Sequence, residues 1–453
     1  MLEMKMSKNK SSPKLQPLPQ MEALGPDGVN CLWIAACCLG LAVFFGDGMA
    51  SLPAKALVCV STLFAAVAPW QSLTRNHRST LRVFLLILLI ATFALPVTRI
   101  PGYYLQISSQ SEFAIWQGLR SFAAVIGIAC WFFSGRTAKV LFVLCCLLLL
   151  FAGYWTFRAL PQPAIDVFFF FKFSASKLWE GENPYALSMP NIYGSGTSLY
   201  APELIQGEFL RFGFPYPLGG LLGPAVADFF LGDYRLGVLI VYILAAACLG
   251  LQGTLNRRIA LLALFFPRLE FIFSQGWSDA WSGALLLGAA AFSRTLGGGL
   301  CAGLWIASKQ YLIPFAFSWI CDLQRQKVAS LICLGVATGL YLLPLCIEPG
   351  PYIWSVFGLQ FIQPLRPDSL SFFFGPRYLM ILAAAFWLVG FIFRCQTLLK
   401  TPSFSSPAAM GWMHWFLWGF FIFNKQAFAN YFFTLYLVTL WVSGNYLNRQ
   451  ASR

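Results

Sequence analysis

The chain has 453 residues, of which 58% are hydrophobic and only 11% are charged, and its mean hydropathy is +0.68. About a quarter of the residues of an average soluble protein are charged, so this composition excludes a water-soluble globular protein and predicts a polytopic membrane protein. The net charge of +14 does not indicate a nucleic-acid partner, because the basic residues are scattered over short loops, as the positive-inside rule requires.

The first 29 residues carry four lysines among Ser, Pro and Gln, with too little apolar surface to fold. This composition predicts a disordered, basic, cytoplasmic tail. Five spanning segments are predicted to follow, at about 30–46, 54–70, 81–98, 119–134 and 139–157. The first four form an N-terminal four-helix membrane module, residues 30–134.

Basic residues set the predicted orientation of these five segments. Arg75, Arg78 and Arg82 mark one internal loop, and Arg136 with Lys139 mark the next. The segments then alternate without conflict and leave residues 158–212 outside as the main exoplasmic loop.

Nine further apolar segments are predicted at about 215–231, 236–253, 258–273, 278–293, 297–320, 328–346, 377–394, 407–423 and 428–446. Internal positions are indicated by Arg325, Lys327, Arg394, Lys400, Arg449 and Arg453. Residues 347–376 and 424–427 therefore fall outside, and 447–453 form a second cytoplasmic tail. The predicted fold class is all-α, with about 12–14 transmembrane helices and interfacial helices in the exoplasmic loop.

Two segments break the regular alternation. Residues 297–320 lie between Arg294 and Arg325, which both favour the inside, so the sequence predicts two short helices that meet near Lys309 on the outer side. Between 213 and 275, three apolar segments separate two outer positions, so one segment does not cross. The proline-rich stretch GFPYPLGGLLGP at 213–224 is a candidate for a re-entrant or interfacial piece.

Asp166 is the first candidate for chemistry. It opens a stretch that reads as a surface helix, with Asp166, Phe170, Phe173 and Lys177 spaced for one face. A partly desolvated carboxylate at this boundary has a raised pKa and can take a proton from an alcohol. The alternative is that Asp166 is only the N-cap of the helix.

The other polar candidates are predicted on the same outer side. They are Gln275, Asp279, Lys309, Arg366, Asp368 and Lys425. An arginine and two lysines near a carboxylate suit an anionic ligand such as a phosphate. The alternatives are snorkelling cations that anchor helix ends, and a helix cap for Asp279.

The sequence does not indicate a metal or disulfide framework. It has only two histidines and no adjacent carboxylate pair, so an obligatory metal is not expected, although a divalent cation is compatible with a phosphate ligand. Most of the thirteen cysteines lie inside apolar runs and are predicted to be small packing residues.

The order of several short motifs resembles the C-type glycosyltransferase (GT-C) superfamily, and within it a bacterial mannosyltransferase-like branch that uses polyprenyl-phosphate sugars. The motifs are LWEGENPY at 178–185, FPYPLGGLLGPAV at 214–226, SQGWSDAWSGALLL at 274–287, AGLWIASKQYLIPF at 302–315, QPLRPDSLSF at 363–372 and NKQAFANYFF at 424–433. The resemblance covers about residues 139–446. The chain departs from the family where Leu218 follows Pro217, a position that often holds a second proline, and where the large loop follows the fifth helix instead of the first.

The resemblance implies an inverting glycosyltransferase, a hexosyltransferase of the mannosyltransferase-like type, with Asp166 as the general base. The donor is then a polyprenyl-phosphate sugar, and the acceptor is a hydroxyl of a glycan, lipid or protein. Lys309, Arg366 and Lys425 are expected to bind the donor phosphate, while Tyr185, Gln275, Asp279 and Asp368 are expected to bind sugar or acceptor. No cofactor is expected, the partners are these substrates and membrane lipids, and the location is a bacterial plasma membrane with the site facing the exoplasm.

Two other classes of function stay open from the sequence. A transporter or flippase of lipid-linked sugars also needs cations and aromatic residues, but it is expected to show internal repeats and polar groups at the bilayer midplane. A non-catalytic scaffold predicts that the outer charges are dispensable.

Overall fold

The protein is described by a computed structural model covering residues 26–47, 49–68, 75–98, 110–293, 295–324, 326–372, 376–400 and 406–451. The structure is 77% helical, which confirms the all-α prediction. Within the described ranges, seven helices are long and apolar enough to cross a membrane. Four further apolar helices of 10–17 residues are shorter, and the total of 12–14 crossings stays a prediction. The basic tail before residue 26, Arg294, Arg325 and Arg453 lie outside these ranges.

The first half of the chain forms α1 (Pro26–Gly46), α2 (Leu52–Val67), α3 (Arg75–Ala94), α4 (Gln110–Phe132), α5 (Gly135–Ala159), α6 (Asp166–Trp179), α7 (Leu218–Leu231), α8 (Tyr234–Leu251), α9 (Thr254–Leu264) and α10 (Leu269–Ser274). The second half forms α11 (Ser278–Ala291), α12 (Leu296–Ile306), α13 (Ala316–Ile320), α14 (Lys327–Ile347), α15 (Pro349–Ile353), α16 (Leu359–Ile362), α17 (Arg377–Lys400), α18 (Ser406–Phe423) and α19 (Ala429–Ala451). Each predicted apolar segment contains a helix, and the segment at 258–273 is divided between α9 and α10 by a break that contains Pro267.

The helix break predicted near Lys309 is present. Helix α12 ends at Ile306, and a 3₁₀ turn runs from Gln310 to Phe315 before α13. Gly219 and Gly220 of α7 pack directly on this break, since a Cβ at either position would lie only 2.7 or 2.8 Å from the carbonyl oxygen of Ala307 or Ser308. The double glycine of the FPYPLGG motif therefore allows α7 to approach the broken helix closely.

Helix α7 begins in the proline-rich stretch at 213–224. Its first turn packs on the break beside Lys309, where Gly219 and Gly220 meet Ala307 and Ser308. Just beyond its last turn, the carbonyl of Gly232 accepts a hydrogen bond from Lys172 Nζ of α6 at 2.9 Å. That one of the three apolar segments between residues 213 and 275 does not cross stays a prediction.

The N-terminal helices are packed into the body of the protein. Helix α1 packs on α19, and α2 packs on α17. Between them, the turn after Gly46 pairs with the segment that precedes α17: Met49 bridges Ser369, and the amide of Ala50 donates to the carbonyl of Asp368 at 2.6 Å. Lys55 Nζ donates to the carbonyl of Ser371. Residues 30–134, predicted as an added module, therefore share contacts with the last helices of the chain.

The loop after α6 carries a small three-stranded antiparallel sheet. Its strands are β1 (Met189–Pro190), β2 (Ile205–Gln206) and β3 (Phe209–Leu210), with β3 in the centre. A second apolar cluster joins this sheet to Phe170 of α6 and to Leu359 of α16. Helix α6 therefore has packing partners on two sides, the helical body on one and the small sheet on the other.

Candidate active site

A cavity of about 560 Å³ lies where the loop after α6, the segment after α16 and the α18–α19 turn meet the helix ends. Its volume falls within the range of small-molecule sites. Asp166 of α6, Lys309 of the helix break, Arg366 of the segment after α16, and Lys425 of the α18–α19 turn all line it. Four side chains that are widely separated in sequence, and that were predicted to share one side of the membrane, therefore meet in one cavity.

Asp166 is positioned by two tyrosines of the loop that follows α6. Its Oδ2 accepts a hydrogen bond from the hydroxyl of Tyr200, its Oδ1 accepts from the amide of Val167 at 2.7 Å, and its own amide donates to the hydroxyl of Tyr193 at 3.2 Å. The cap position of α6 is Ile165, and Asp166 is the first helical residue. Asp166 is therefore not the N-cap residue itself, and its hydrogen bonds with Tyr200 and Tyr193 go beyond what capping a helix requires.

The environment of Asp166 suits a proton acceptor. Burial raises the pKa of this carboxyl above its usual value, while the hydrogen bonds from Tyr200 and Val167 and the charge of Arg366 act in the opposite direction. Burial and the adjacent Asp166 also raise the pKa of Tyr200, so this hydroxyl keeps its proton and donates it in the hydrogen bond. A carboxylate with a raised pKa holds an abstracted proton better than a fully hydrated one does.

Lys309 is buried, and its charge is balanced by Asp279. Its Nζ lies 3.0 Å from Asp279 Oδ2 and 4.2 Å from the ring centre of Tyr216. Asp279 also accepts from Tyr311, Asn430 and Thr434 at 2.8–2.9 Å. The pair satisfies the requirement that a buried charge be paired and hydrogen-bonded, and Lys309 presents its cation to the cavity from a fixed position.

Arg366 and Lys425 lie on two paired segments. The amide of Arg366 donates to the carbonyl of Lys425 at 3.1 Å, and the guanidinium forms a bidentate ion pair with Asp368 at 2.9 and 2.7 Å. Lys425 Nζ donates to the carbonyl of Gln363 at 2.7 Å. Among the described residues, no carboxylate lies within ion-pair distance of Lys425, so its charge is the least compensated of the three cations.

The remaining predicted binding residues do not line the cavity, although Tyr185, Asp279 and Asp368 contact residues that do. Asp279 and Asp368 hold Lys309 and Arg366, as described. Tyr185 donates from its hydroxyl to the carbonyl of Tyr216 at 3.1 Å, and Gln275 is buried at the end of α10. The NPY element forms a turn in which the amide of Tyr185 donates to the Asn183 side chain.

The structure adds cavity residues that sequence reasoning had not selected. They are aromatic or amide side chains and one more acid: Asp47, Tyr193, Tyr200, Tyr216, Trp277, Gln363, Gln426, Phe428, Asn430 and Tyr431. Flat aromatic faces and amide groups suit a ligand that carries both apolar faces and hydroxyls. Most of these residues lie in segments that the sequence predicts on the outer side, and this position was the one signal that could have identified them as cavity residues.

Within the described residues, no group of three or more His, Cys, Asp and Glu side chains is arranged to hold a metal ion. The cavity offers the cationic side chains of Lys309, Arg366 and Lys425 to an anion. Comparison with known proteins adds no family: no family model, no curated protein and no solved structure matches this chain.

Proposed function

We propose that this protein is an inverting glycosyltransferase that moves a sugar from a polyprenyl phosphate to an acceptor hydroxyl. The observation that carries the proposal is the single cavity lined by Asp166 together with Lys309, Arg366 and Lys425. A proton acceptor and a set of cations are the two groups that transfer from a sugar phosphate requires. The likeness of the motif order to C-type glycosyltransferases supports the same assignment.

The reaction follows from these groups. Asp166 takes the proton of the acceptor hydroxyl as the oxygen bonds to the anomeric carbon from the face opposite the phosphate. The bond between the anomeric carbon and the phosphate oxygen breaks, and its electron pair leaves with the phosphate. The phosphodiester thereby becomes a monoester with one additional negative charge. Cations fixed in advance favour this more highly charged state over the ground state, which lowers the barrier.

The three cations are not equivalent in this role. Lys309 and Arg366 each neutralise a carboxylate, whereas Lys425 bonds a backbone carbonyl. Lys425 therefore has the most charge available for the phosphate, and Arg366 lies on the adjoining segment. Lys309 is held against the ring of Tyr216, so its fixed cation both attracts the donor phosphate and orients the donor.

A lipid-linked donor also fits the wall of the cavity. Phe420 of α18 lines the cavity and is 47% exposed. Phe416, one turn earlier on the same helix, is also exposed. Exposed apolar side chains next to the cavity suit a polyprenyl chain that lies among membrane lipids while its phosphate enters the cavity.

The test compares cells that lack the gene, cells that carry it, and cells that carry Asp166→Asn. Mass spectrometry measures lipid-linked sugars and finished glycoconjugates. We expect loss of the gene and Asp166→Asn to cause the same build-up of one polyprenyl-phosphate sugar and the same loss of one glycan. If the protein is a flippase, cells with Asp166→Asn should have the same lipid-linked sugars and glycoconjugates as cells with the wild-type gene. If it is a scaffold, neither the lipid-linked sugars nor the glycoconjugates should change when the gene is lost. Either result contradicts the proposal.

A further inference from the structure

Asp47 is a second carboxylate of the cavity, and it comes from the N-terminal helices outside the region of family resemblance. It lies in the turn after α1 and lines the cavity together with Asp166. Its Oδ1 lies 2.7 Å from Arg268 Nε, and its side chain keeps 22% of its exposure. A buried arginine therefore pairs with one carboxylate oxygen of Asp47, and the residue also lines the cavity.

The backbone of Asp47 is unusual in a way that fits a binding residue. Its φ of +51° is the one positive value at a non-glycine residue within the described ranges. This conformation is uncommon outside glycine, and residues held in it concentrate at ligand sites. Pairing with the buried Arg268 accounts for an acid at this turn, and the backbone conformation and the position in the cavity wall are observations that the ion pair does not explain.

The position of Asp47 indicates which part of the ligand it meets. The residues that follow it pair with the Arg366 segment, since Met49 bridges Ser369 and Ala50 donates to the carbonyl of Asp368. Asp47 thus belongs to the end of the cavity that carries Arg366 and Lys425. A donor phosphate held there carries two groups, the polyprenyl chain and the donor sugar, and of these only the sugar has hydroxyls that a carboxylate can accept hydrogen bonds from.

A carboxylate discriminates between these two neighbouring groups. It repels a phosphate, and it accepts hydrogen bonds from hydroxyls with its two oxygens. From this placement and chemistry we propose that Asp47 binds hydroxyl groups of the donor sugar, while the cations bind the phosphate. This inference rests on the proposed function. It also gives the N-terminal helices a role in choosing the sugar.

The test uses the full chain in lipid nanodiscs and two synthetic probes with the same lipid chain. One probe is a polyprenyl phosphate, and the other is the same lipid phosphate bearing a hexose. We expect Asp47→Asn to weaken binding of the hexose probe about tenfold, the effect of roughly one charge-assisted hydrogen bond, and to leave binding of the bare phosphate within about twofold. Asparagine tolerates the positive φ, and binding of the bare phosphate reports any structural loss caused by leaving Arg268 without its ion pair.

Asp228→Asn is the matched control. Asp228 also pairs with a cation, Lys172, and its side chain is 19% exposed, but it does not line the cavity. We expect this variant to bind both probes as the wild type does. Asp47→Gly, which also permits a positive φ, provides a second variant with the same expected selectivity.

The outcomes separate the competing explanations. An equal loss for both probes means that Asp47 acts only through Arg268 and the shape of the turn, and it overturns the inference. Unchanged binding of the hexose probe overturns it as well. If the wild type binds neither probe, the proposed function itself fails, and the inference fails with it.

Discussion

The hydrogen bond from Tyr200 to Asp166 gives a prediction that a merely structural carboxylate would not share. Tyr200→Phe removes the donor and leaves the ring, which packs 6.1 Å from Phe212 in the apolar cluster beside the small sheet. The lost bond stabilises the ionised form of Asp166, so the variant raises the pKa of this carboxyl further. More of the base is then protonated at any pH near this pKa.

The size of the effect follows from the strength of such bonds. A hydrogen bond to a charged group contributes about 1.5–3 kcal/mol, and about 1.4 kcal/mol corresponds to one pKa unit. The acid limb of the transfer rate, where Asp166 loses its proton as pH rises, is expected to move upward by roughly one to two pH units. At a pH well above this limb, the rate of the variant should approach that of the wild type.

The assay is sugar transfer by purified protein across a range of pH. Tyr242→Phe is the control, because Tyr242 is buried and its hydroxyl donates to the carbonyl of Ala263 at 2.9 Å, away from the cavity. This control is expected to leave the position of the limb unchanged. A limb that stays in place in Tyr200→Phe, or that moves to lower pH, would refute the view that Tyr200 tunes the base.

Two further predictions concern the cations. Lys425→Gln keeps a donor for the Gln363 carbonyl but removes the charge. The affinity of this variant for a bare polyprenyl phosphate is therefore expected to fall about tenfold. The control is Lys177→Gln, which changes a lysine in a surface ion pair with Glu180 and Glu182. Equal affinity in both variants would contradict the assignment of the phosphate to Lys425. Asp279→Asn leaves Lys309 buried without its counter-ion. We expect this change to lower the free energy of unfolding by about 3–5 kcal/mol and to lower the melting temperature of the solubilised protein. The double variant Asp279→Asn with Lys309→Met removes both charges and is expected to recover much of the lost stability. Melting of the single variant at the wild-type temperature would show that the pair carries little stability.

Much of the architecture could be predicted from the sequence, because apolar runs indicate where the helices lie and loop charges indicate their orientation. The break near Lys309 also followed from charge, since a lysine flanked by two internal arginines has to reach a polar surface. The identity of the non-crossing segment did not follow. Helix α7 is apolar except for Asp228, and its contacts with Lys172 of α6 and with the broken helix are tertiary contacts that the sequence does not encode.

The candidate site was predicted in part. Asp166, Lys309, Arg366 and Lys425 were singled out because polar residues are rare in this chain, and the cavity brings all four together. The pairing of Lys309 with Asp279 and of Asp166 with Tyr200 depends on tertiary contacts, which composition and local spacing do not encode. Asp47 was missed because residues 30–134 were treated as a separate module. Its position in a short turn at a predicted outer helix end was the signal that could have identified it.

The most direct test of the account is to measure donor binding and sugar transfer together in purified wild type and Asp166→Asn. If Asp166 is the base, the variant should bind the polyprenyl-phosphate sugar as tightly as the wild type and transfer it about a hundredfold to ten-thousandfold more slowly. Transfer at the wild-type rate, with binding unchanged, would contradict the central claim.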